Sequence, residues 1–423
     1  MSISELYEIF QKCTGVSTDT RTLLPNNLFI ALSGDNFNGN KFAEQALSKG
    51  ATYAIIDDEN YQTKNTILVE NTLKTLQNLA NHHRKKLNIP IIALTGSNGK
   101  TTTKELINAV LSKKYKTTAT LGNLNNHIGV PLTLLSMNTD TQIGIIEMGA
   151  NHFHEIELLA NITQPDYGYI TNFGKAHLEG FGSLEGVVKA KSELYDYLRQ
   201  NNKLAFVNSD SDKQVKQSEH IKKYTFSQSK RSNTEVVFLE ANPFVTTNYK
   251  KQTIKSNLIG QYNFTNIAAA ITIGEYFKVE TKAIISAIES YQPTNNRSQI
   301  IQKNSNEIIL DAYNANPTSM KAALENFNQL SADNKVLFIG DMFELGKTSE
   351  KEHQLIVDYI ENMSLKKCYI LGEHFYKTKH SKKIHPYLNF NTLKDDFLDK
   401  IDNCTILIKG SRGMALERII DLL

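Results

Sequence analysis

The chain has 423 residues, too many for one compact domain of about 100–200 residues, so two or three domains are expected. Apolar residues make up 40% of the chain and charged residues 22%, proportions typical of a globular protein with well-buried cores. The 47 Lys and Arg nearly balance the 44 Asp and Glu, so the formal charge of +3 argues against nucleic acid or an anionic membrane as the main partner.

The cysteines and the N-terminus narrow the class of protein further. Cys13, Cys368 and Cys404 are far apart and form no CxxC pair, so neither a disulfide framework nor a zinc site is expected. The start MSISELYEIF lacks the basic and apolar regions of a signal peptide. No apolar run approaches the roughly 20 residues that span a bilayer. We therefore expect a cytoplasmic protein without membrane insertion.

Residues 1–88 are predicted to form a small α/β unit. LFIAL (28–32) and TYAIID (52–57) have the pattern of short strands, and KFAEQALSKG between them has that of a helix. The stretch TLKTLQNLANHHRKKLN predicts a longer amphipathic helix that carries His82 and His83. Because this helix is highly charged, we expect both histidines to be solvated at the surface.

Two further units are predicted from alternating strands and helices. In residues 89–294 the apolar runs IIALT, IGIIEM, YGYIT and LAFVN are each followed by a turn and a helical stretch, which indicates a parallel sheet covered on both faces. YQPTNNRSQ has the composition of a linker. In residues 295–423 the runs EIILDAY, KVLFIGD, KKCYILG and CTILIKG restart the alternation, and MALERIIDLL is predicted to be a final helix. This pattern predicts a second doubly wound α/β unit.

The segment TGSNGKT, residues 95–101, has the composition and context of a phosphate-binding loop between a strand and a helix. Its glycines let backbone N–H groups converge on a phosphate, and the helix N-terminus adds a favourable dipole. Lys100 can bring a cation to the terminal phosphates, and the Thr101 hydroxyl can bind Mg²⁺. The loop is shortened, because Leu94 stands where the general pattern has glycine. We predict nucleotide binding here.

Other polar residues follow predicted strand ends, where ligands bind in open α/β sheets. Glu147 ends IGIIEM and could bind magnesium, and His177 follows YGYITN. Taken alone, a solvated glutamate and a surface histidine explain them equally well. Lys409 and Arg412 in IKGSRGMALE are candidate anion contacts. GNLNNHIGVPLTLL has the composition of a loop, and helix capping could explain the asparagines of DAYNANPTSM.

These segments together resemble one family nearly end to end. STDTRTLLPNNLFIALSGDNFNGNKF, TGSNGKT, GNLNNHIGVPLTLL, EMGAN, NFGKAHLEGFGS, AKSELY, DAYNANPTSM, GDMFELG and KGSRGMALE occur in the order seen in the Mur ligase family, MurF type. Ordered matches across three units are specific, since sister ligases share the loop but not NNHIGVPLT or YNANP. The chain departs from the family pattern at Thr20, Asn38, Asn40, His154 and Tyr262.

The resemblance implies an α/β fold with three domains. They are a small UDP-binding domain (1–88), a central P-loop parallel-sheet ATPase domain (89–294) and a C-terminal Rossmann-like doubly wound domain (295–423). The cofactors implied are ATP and Mg²⁺. The implied nucleotide-binding residues are Thr95, Gly96, Ser97, Asn98, Gly99, Lys100, Thr101, Asn263, Asn266, Arg297, Asp311 and Asn314.

The resemblance also implies the residues that perform the chemistry. Catalytic roles fall to Lys100, Glu147, His177 and Lys191, and magnesium would be bound by Thr101, Glu147, His177 and Lys191. Substrate contacts fall to Thr20, Arg21, Asn123, Asn125 and Asn126. Lys191 in AKSELY would carry a carbamate. From spacing alone it could equally be a solvated helix lysine like Lys189.

The implied reaction joins D-alanyl-D-alanine to UDP-N-acetylmuramoyl-tripeptide through an acyl phosphate, for peptidoglycan synthesis. We expect a monomer that acts on these two partners. Two alternatives stay open at this point. The chain could be another amide ligase of the superfamily, such as a folylpolyglutamate synthase. It could also be a nucleotide-dependent switch, although a switch leaves the first and third units without a role.

Overall fold

A computed structural model describes residues 1–294, 296–398 and 400–423 and contains three larger sheets, one after another along the chain. Each sheet lies within one of the three predicted domains. The predicted start of the third domain, residue 295, lies outside the described residues, and the exact domain boundaries stay predictions. The predicted α/β class is confirmed, because each sheet is mainly parallel and is packed against helices.

The first unit is built on four parallel strands. Across the sheet they are Val16–Ser17, Leu28–Ile30, Tyr53–Ile56 and Thr66–Leu68, and Ser33–Gly34 pairs separately with Phe37–Asn38. Its helices are Ile3–Phe10, Ala43–Ser48 and Thr72–Leu87, with 3₁₀ turns at Gly39–Phe42 and Glu59–Tyr61. Ser2 begins the first helix through a capping box with Glu5, as its side-chain pattern dictates.

The second unit is a nine-stranded sheet. Its order is Gln252–Ile259, Phe244–Tyr249, Thr234–Ala241, Lys222–Ser227, Leu204–Asn208, Tyr167–Ile170, Ile91–Thr95, Ile143–Glu147 and Thr117–Ala119. The four predicted strands lie side by side in its parallel part. The first three strands in this order form an antiparallel edge that we did not predict, and polar residues interrupt its apolar stretches.

Helices cover both faces of this sheet. They are Lys100–Leu111, Gly129–Leu135, Glu155–Thr163, Leu178–Phe181, Leu184–Gln200, Asp212–Gln217, Phe264–Tyr276 and Thr281–Ser290, with a 3₁₀ turn at Gln261–Asn263. The helix Gly129–Leu135 corrects the prediction of a loop in GNLNNHIGVPLTLL. Val130, Leu134 and Leu135 on this short helix are buried, so tertiary packing stabilises a segment whose asparagines favour a turn.

The third unit is a six-stranded sheet. Its order is Gln299–Lys303, Asn306–Asp311, Thr405–Lys409, Lys335–Gly340, Lys367–Leu371 and Ile384–Tyr387, and only the first pair is antiparallel. Its helices are Pro317–Gln329, Ser349–Glu361, Glu373–Tyr376 and Phe390–Asp396, with 3₁₀ helices at Gly346–Thr348, Arg412–Met414 and Leu416–Leu422. The predicted α-helix in MALERIIDLL is therefore wrong in type. Across the described residues, no helix has the length and apolar character to cross a membrane.

The helix Thr72–Leu87 joins the first unit to the second, and it corrects the prediction for His83. This histidine is buried: its Nε2 lies 2.9 Å from the Met137 carbonyl and its Nδ1 lies 3.2 Å from the Tyr7 hydroxyl. His82 is only partly buried. The charged helix was expected to face water on its polar side, but the second unit covers part of that side.

Arg84 on the same helix makes three polar contacts with the second unit. Its Nε donates to the Thr163 carbonyl at 3.0 Å, and its Nη2 donates to the Gln164 carbonyl at 3.0 Å and to Asp166 at 2.8 Å. The side chain is only 8% exposed, so water cannot replace these partners easily. The buried guanidinium therefore contributes to the contact between the first and second units.

Arg84→Leu is expected to lower the free energy of unfolding by about 2–4 kcal/mol, because it leaves two carbonyls and Asp166 short of a donor. Urea unfolding followed by circular dichroism measures this. Lys85→Leu is the matched control, because Lys85 is exposed on the same helix, and it should change the free energy little. Equal effects of the two substitutions would contradict the role assigned to Arg84.

Candidate active site

A cavity of about 720 Å³ lies between the second and third units and collects most of the predicted site residues. Those that line it are Ser97, Asn98, Gly99, Lys100, Thr101, Asn123, Asn125, Asn126, Glu147, His177, Asn263, Asn266, Arg297, Asp311 and Asn314. Thr95 and Gly96 come directly before the lining part of the loop. Side chains separated by more than 200 positions in sequence therefore meet here.

The phosphate loop connects the buried strand Ile91–Thr95 to the helix Lys100–Leu111 and packs very tightly. Gly96 has φ of 147°, and a Cβ there would lie 2.0 Å from Thr171 Oγ1. Gly99 has φ of 77°, and a Cβ there would lie 2.7 Å from Asn266 Oδ1. Both the backbone angles and the space around them require glycine.

Asn263 and Asn266 brace the helix that follows the loop. Asn266 Oδ1 accepts from the Thr103 hydroxyl at 3.0 Å, and Asn266 Nδ2 donates to Asn263 Oδ1 at 2.8 Å. Asn263 Nδ2 in turn donates to the Ile259 carbonyl at 2.8 Å. This chain of hydrogen bonds fixes the loop relative to the helix Phe264–Tyr276.

Lys100 brings a poorly solvated cation to the loop. Its Nζ donates to the Gly96 carbonyl at 2.8 Å. Burial lowers the pKa of Lys100, the Glu147 carboxylate raises it, and the Arg297 cation lowers it again. A bound polyphosphate would stabilise the ammonium form of Lys100, because it supplies negative charge in addition to that of Glu147.

Glu147 is 1% exposed, so the hypothesis of a solvated loop glutamate is wrong. Its Oε1 accepts from Asn125 Nδ2 at 2.7 Å, and its backbone N–H donates to Thr120 Oγ1 at 3.0 Å. Its Oε2 is buried and has no hydrogen-bond partner among the described residues. A buried carboxylate oxygen without a donor, in the same cavity as the Thr101 hydroxyl, fits the hard oxygen ligands that Mg²⁺ prefers.

The protein alone does not form a complete metal cage. Within residues 1–294, 296–398 and 400–423, no three His, Cys, Asp or Glu side chains converge as a metal-binding group. A magnesium ion here would therefore take further ligands from phosphate oxygens and water, as is usual for this ion.

His177 lines the cavity where the second and third units meet, so the hypothesis of a surface histidine without a role in the site is also wrong. It has φ of 51°, and its Nδ1 forms a hydrogen bond with the Glu344 carboxylate of the third unit. That bond lowers the pKa of Glu344, and the nearby Lys100 cation acts in the same direction. Glu344 was missed as a site residue, although it lies in GDMFELG directly after a predicted strand.

Arg297 reaches the cavity from the connection between the second and third units. Its guanidinium carbon lies 3.7 Å from the centre of the Tyr313 ring, a stacked cation–π contact. Its Nε is buried and has no hydrogen-bond partner within the described part of the chain. A flat guanidinium held this way is suited to a phosphate or a purine face. Tyr313 was not singled out from the sequence.

Asp311 and Lys409 form an ion pair in which the lysine is buried and the aspartate is partly buried. Lys409 Nζ lies 2.6 Å from Asp311 Oδ2, and the Ser298 N–H donates to Asp311 Oδ1 at 3.2 Å. Lys409 therefore lines the cavity but is already neutralised, which weakens its case as an anion contact. Arg412, the other candidate, pairs with Glu417 at 2.9 Å and is not among the cavity-lining residues.

Lys191 lies behind the cavity wall and is fully buried, so the solvated-lysine hypothesis is wrong for it. Its Nζ donates to the carbonyl of Ala150, a lining residue, at 3.0 Å. Burial and then the nearby Lys100 cation lower the pKa of Lys191 well below its usual range. A neutral amine, the form that can react with CO₂, is thereby favoured. Lys189, the neighbouring lysine on the same helix, is exposed.

The predicted substrate residues divide between two places. Asn123 and Asn125 line the cavity with Asn126, whose Oδ1 accepts from the N–H groups that begin the helix Gly129–Leu135. Thr20 and Arg21 lie in the first unit and do not line this cavity. Thr20 Oγ1 donates to the Gln45 side chain, and Arg21 pairs with Asp19 at 2.6 Å.

Comparison with known families assigns all three parts of the chain to related models. Residues 12–94 match "Mur ligase family, catalytic domain", residues 94–274 match "Mur ligase middle domain" and residues 296–412 match "Mur ligase, glutamate ligase domain".

Individual proteins and structures give the same relationship over the whole length. The UDP-N-acetylmuramoyl-tripeptide–D-alanyl-D-alanine ligase of Bacillus subtilis (strain 168) is 36% identical over 96% of this chain and 92% of its own length. That of Escherichia coli (strain K12) is 32% identical with the same coverage. A crystal structure of MurF from Acinetobacter baumannii superposes with a TM-score of 0.85 at 27% identity, covering 100% of this chain and 98% of that one. MurF ligase from Thermotoga maritima in complex with ADP shares the fold, with a TM-score of 0.85 at 24% identity over 98% and 97% of the two chains.

Gly99→Ala is expected to weaken ATP binding by about tenfold or more. The new methyl group would collide with Asn266, and the alanine backbone would have to adopt a left-handed conformation that L-residues disfavour. Isothermal titration calorimetry measures the affinity. Gly182→Ala is the matched control: Gly182 has φ of 75°, and a Cβ there would have no atom within 4 Å, so strain is added without a clash. Comparable losses of affinity in both variants would show that loop packing is not the cause.

Proposed function

Because the chain belongs to the Mur ligase family, we propose that it joins D-alanyl-D-alanine to UDP-N-acetylmuramoyl-tripeptide in an ATP-dependent reaction. The product is the UDP-linked pentapeptide used in peptidoglycan synthesis. The observation that carries the proposal structurally is the single cavity in which Lys100 and Glu147 meet Arg297 and Asp311 of the next unit. A nucleotide, a carboxylate acceptor and an amine can be brought together there.

The chemistry explains why such a site needs ATP. A carboxylate is a poor electrophile, so an amine does not form an amide with it readily in water. A carboxylate oxygen of the tripeptide attacks the terminal phosphorus of ATP, and ADP leaves to give an acyl phosphate. The amino group of the dipeptide then attacks the acyl carbon, phosphate leaves with the bonding pair, and the amine loses a proton. Positioning and charge neutralisation supply most of the acceleration.

The phosphate loop and Lys100 would hold and neutralise the phosphoryl group. The backbone N–H groups at the start of the helix Lys100–Leu111 point toward the loop, and the Lys100 ammonium adds a positive charge. Arg297 would contact the nucleotide from the other side of the cavity. Asp311 and Asn314 would bind the nucleoside part, since both line the cavity on the third unit.

Magnesium would be held by Glu147 Oε2 and Thr101, with His177 as a further candidate. When bound, the ion adds positive charge next to the phosphate oxygens and so stabilises charge that develops during transfer. Asn125 would position Glu147, because its amide occupies the other carboxylate oxygen.

Lys191 would carry a carbamate. An ammonium group has only donors and cannot bind a metal, whereas a carbamate is an anionic oxygen ligand on a long arm. The reaction with CO₂ requires a neutral amine, and burial next to Lys100 favours that form by lowering the pKa of Lys191. This physical setting distinguishes Lys191 from Lys189 on the same helix.

The first unit would bind the UDP moiety, with Thr20 and Arg21 as contacts, and the asparagines of the 123–126 segment would contact the muramoyl-peptide. We further propose that the protein acts as a cytoplasmic monomer. The alternative of a folylpolyglutamate synthase is disfavoured by full-length similarity to the D-alanyl-D-alanine ligases.

The function is tested by phosphate release from ATP and Mg²⁺ with UDP-N-acetylmuramoyl-tripeptides that end in lysine or in diaminopimelate. Release is expected to require both a tripeptide and D-alanyl-D-alanine, with pentapeptide formed in equal amount. Glutamate addition to folate without use of the dipeptide would replace the proposal by the alternative ligase. ATP hydrolysis at full rate without any amine would favour a nucleotide switch.

Lys191→Ala is expected to lose roughly 90% or more of the activity, because the carbamate oxygens are lost, whereas Lys189→Ala should keep most of it. Small carboxylic acids such as acetate should partly restore Lys191→Ala, since the space left by the truncated side chain can admit them. Steady-state phosphate release measures all three. Full activity of Lys191→Ala in carbonate-depleted buffer would rule out a required carbamate.

A further inference from the structure

The residues on both sides of Arg297 have an unusual backbone conformation. Asn296 has φ of 57° and Ser298 has φ of 50°, both in the left-handed region. Asparagine often adopts this conformation, but a serine there is disfavoured, because its Cβ lies too close to the following carbonyl oxygen. Such a conformation persists when surrounding contacts enforce it. The contacts of Ser298 therefore indicate what holds this connection in place.

Ser298 is held by one side chain from each of the two units that it connects. From the second unit, the Tyr262 hydroxyl forms a hydrogen bond with the Ser298 hydroxyl at 2.9 Å, in which either group can donate. From the third unit, Asp311 Oδ1 accepts from the Ser298 N–H at 3.2 Å. Ser298 is only 6% exposed, so water cannot readily replace these partners.

Tyr262 is itself firmly placed. It lies in the 3₁₀ turn Gln261–Asn263 and directly precedes Asn263, whose side chain belongs to the chain of hydrogen bonds that braces the phosphate loop. A Cβ at Gly260 would lie 2.4 Å from the Tyr262 ring, so the ring packs directly against the backbone there. Tyr262 is also a position where the chain departs from the family pattern. Its hydroxyl can therefore serve as a fixed anchor for Ser298.

The torsion φ of Ser298 sets the direction of Arg297 relative to the third unit. The strand Gln299–Lys303 begins at the next residue and is fixed by its pairing with Asn306–Asp311. Rotation about the N–Cα bond of Ser298 therefore moves Arg297 relative to Tyr313, which follows that partner strand. In the observed conformation the guanidinium carbon lies 3.7 Å from the centre of the Tyr313 ring. A relaxed Ser298 would turn Arg297 away from this ring.

We propose that Tyr262 is a positioning residue for Arg297: its hydroxyl holds Ser298 in the left-handed conformation that directs the guanidinium toward the nucleotide. This inference rests on the proposed function, in which Arg297 contacts the nucleotide. A guanidinium that is already stacked and oriented loses little freedom when a ligand binds to it, so more of the interaction appears as affinity. The Tyr262 hydroxyl thus acts on the ligand through the two residues that lie between them.

Tyr262→Phe tests this role, because it removes the hydroxyl and keeps the ring. With the full chain and Mg²⁺, isothermal titration calorimetry should show ADP affinity reduced by about three- to tenfold, the range expected for the loss of one hydrogen bond. Tyr115→Phe is the matched control: the Tyr115 hydroxyl donates to the Phe277 carbonyl at 2.7 Å in the same unit, and Tyr115 is not among the cavity-lining residues. It should leave ADP affinity unchanged. Equal losses in both variants would overturn the proposal.

Two substitutions of Ser298 in the Tyr262→Phe background test the role of the backbone. Glycine adopts the left-handed conformation without steric cost, whereas alanine does not. We therefore expect Ser298→Gly to restore part of the lost ADP affinity and Ser298→Ala to restore none. Equal ADP affinities of the two double variants would contradict the claim that the conformation of Ser298 carries the effect.

A double-mutant cycle with Arg297→Ala decides whether Tyr262 acts through Arg297. If it does, Tyr262→Phe should cost little further ADP affinity once the guanidinium is absent. An undiminished loss there would show that Tyr262 acts through another group, and would overturn the proposal. Wild-type turnover with ATP, UDP-N-acetylmuramoyl-tripeptide and D-alanyl-D-alanine is measured in parallel. Wild type that binds ADP but is inactive would count against the proposed function, whereas active wild type with an additive cycle would count only against this inference.

Discussion

Close packing of the phosphate loop is the constraint on which the rest of the site depends. Thr171 and Asn172, at the end of the neighbouring strand, donate to the carbonyl of Asn98 at 2.6 and 3.0 Å. Gly96 and Gly99 leave no room for a side chain between the loop and these neighbours. Because every one of these contacts is made within the protein, the loop is shaped by the fold itself before a phosphate binds.

Some of the cations around the loop are paired with a carboxylate and others are not. Lys409 is balanced by Asp311, whereas Lys100, Lys191 and Arg297 have no carboxylate that pairs with them directly among the described residues. Bringing unpaired cations together in a poorly solvated region is unfavourable, and a polyphosphate removes that disadvantage when it binds. The same crowding favours a neutral Lys191. The same group of nearby cations therefore favours both the binding of a nucleotide and the neutral form of Lys191 that can be modified.

Local patterns in the sequence predicted the strand–loop–helix at 91–111, because those features follow from short-range chemistry. Asn263 and Asn266, which brace it, were implied only by the family resemblance. Features that depend on tertiary partners could not be predicted in the same way. The partner of His177 is Glu344, which lies 167 positions away, and the partners of His83 come from two other segments. The antiparallel strands at 234–259 have polar residues between short apolar stretches, and we did not predict them. Lys191 and Lys189 differ only in which side of their helix the sheet covers. The family resemblance distinguished them where composition did not.

The buried His83 has a consequence for how the first unit is held. Nε2 of His83 donates to the Met137 carbonyl, and in the neutral ring Nδ1 accepts from the Tyr7 hydroxyl. Burial holds the pKa of His83 below its usual value of 6.5. The unfolded chain then takes up a proton at higher pH than the folded chain does. The stabilisation from the neutral ring is complete above about pH 6.5 and declines as the pH falls below it. Mild acid thus weakens the contact between the first unit and the rest of the molecule, which lies away from the reacting groups.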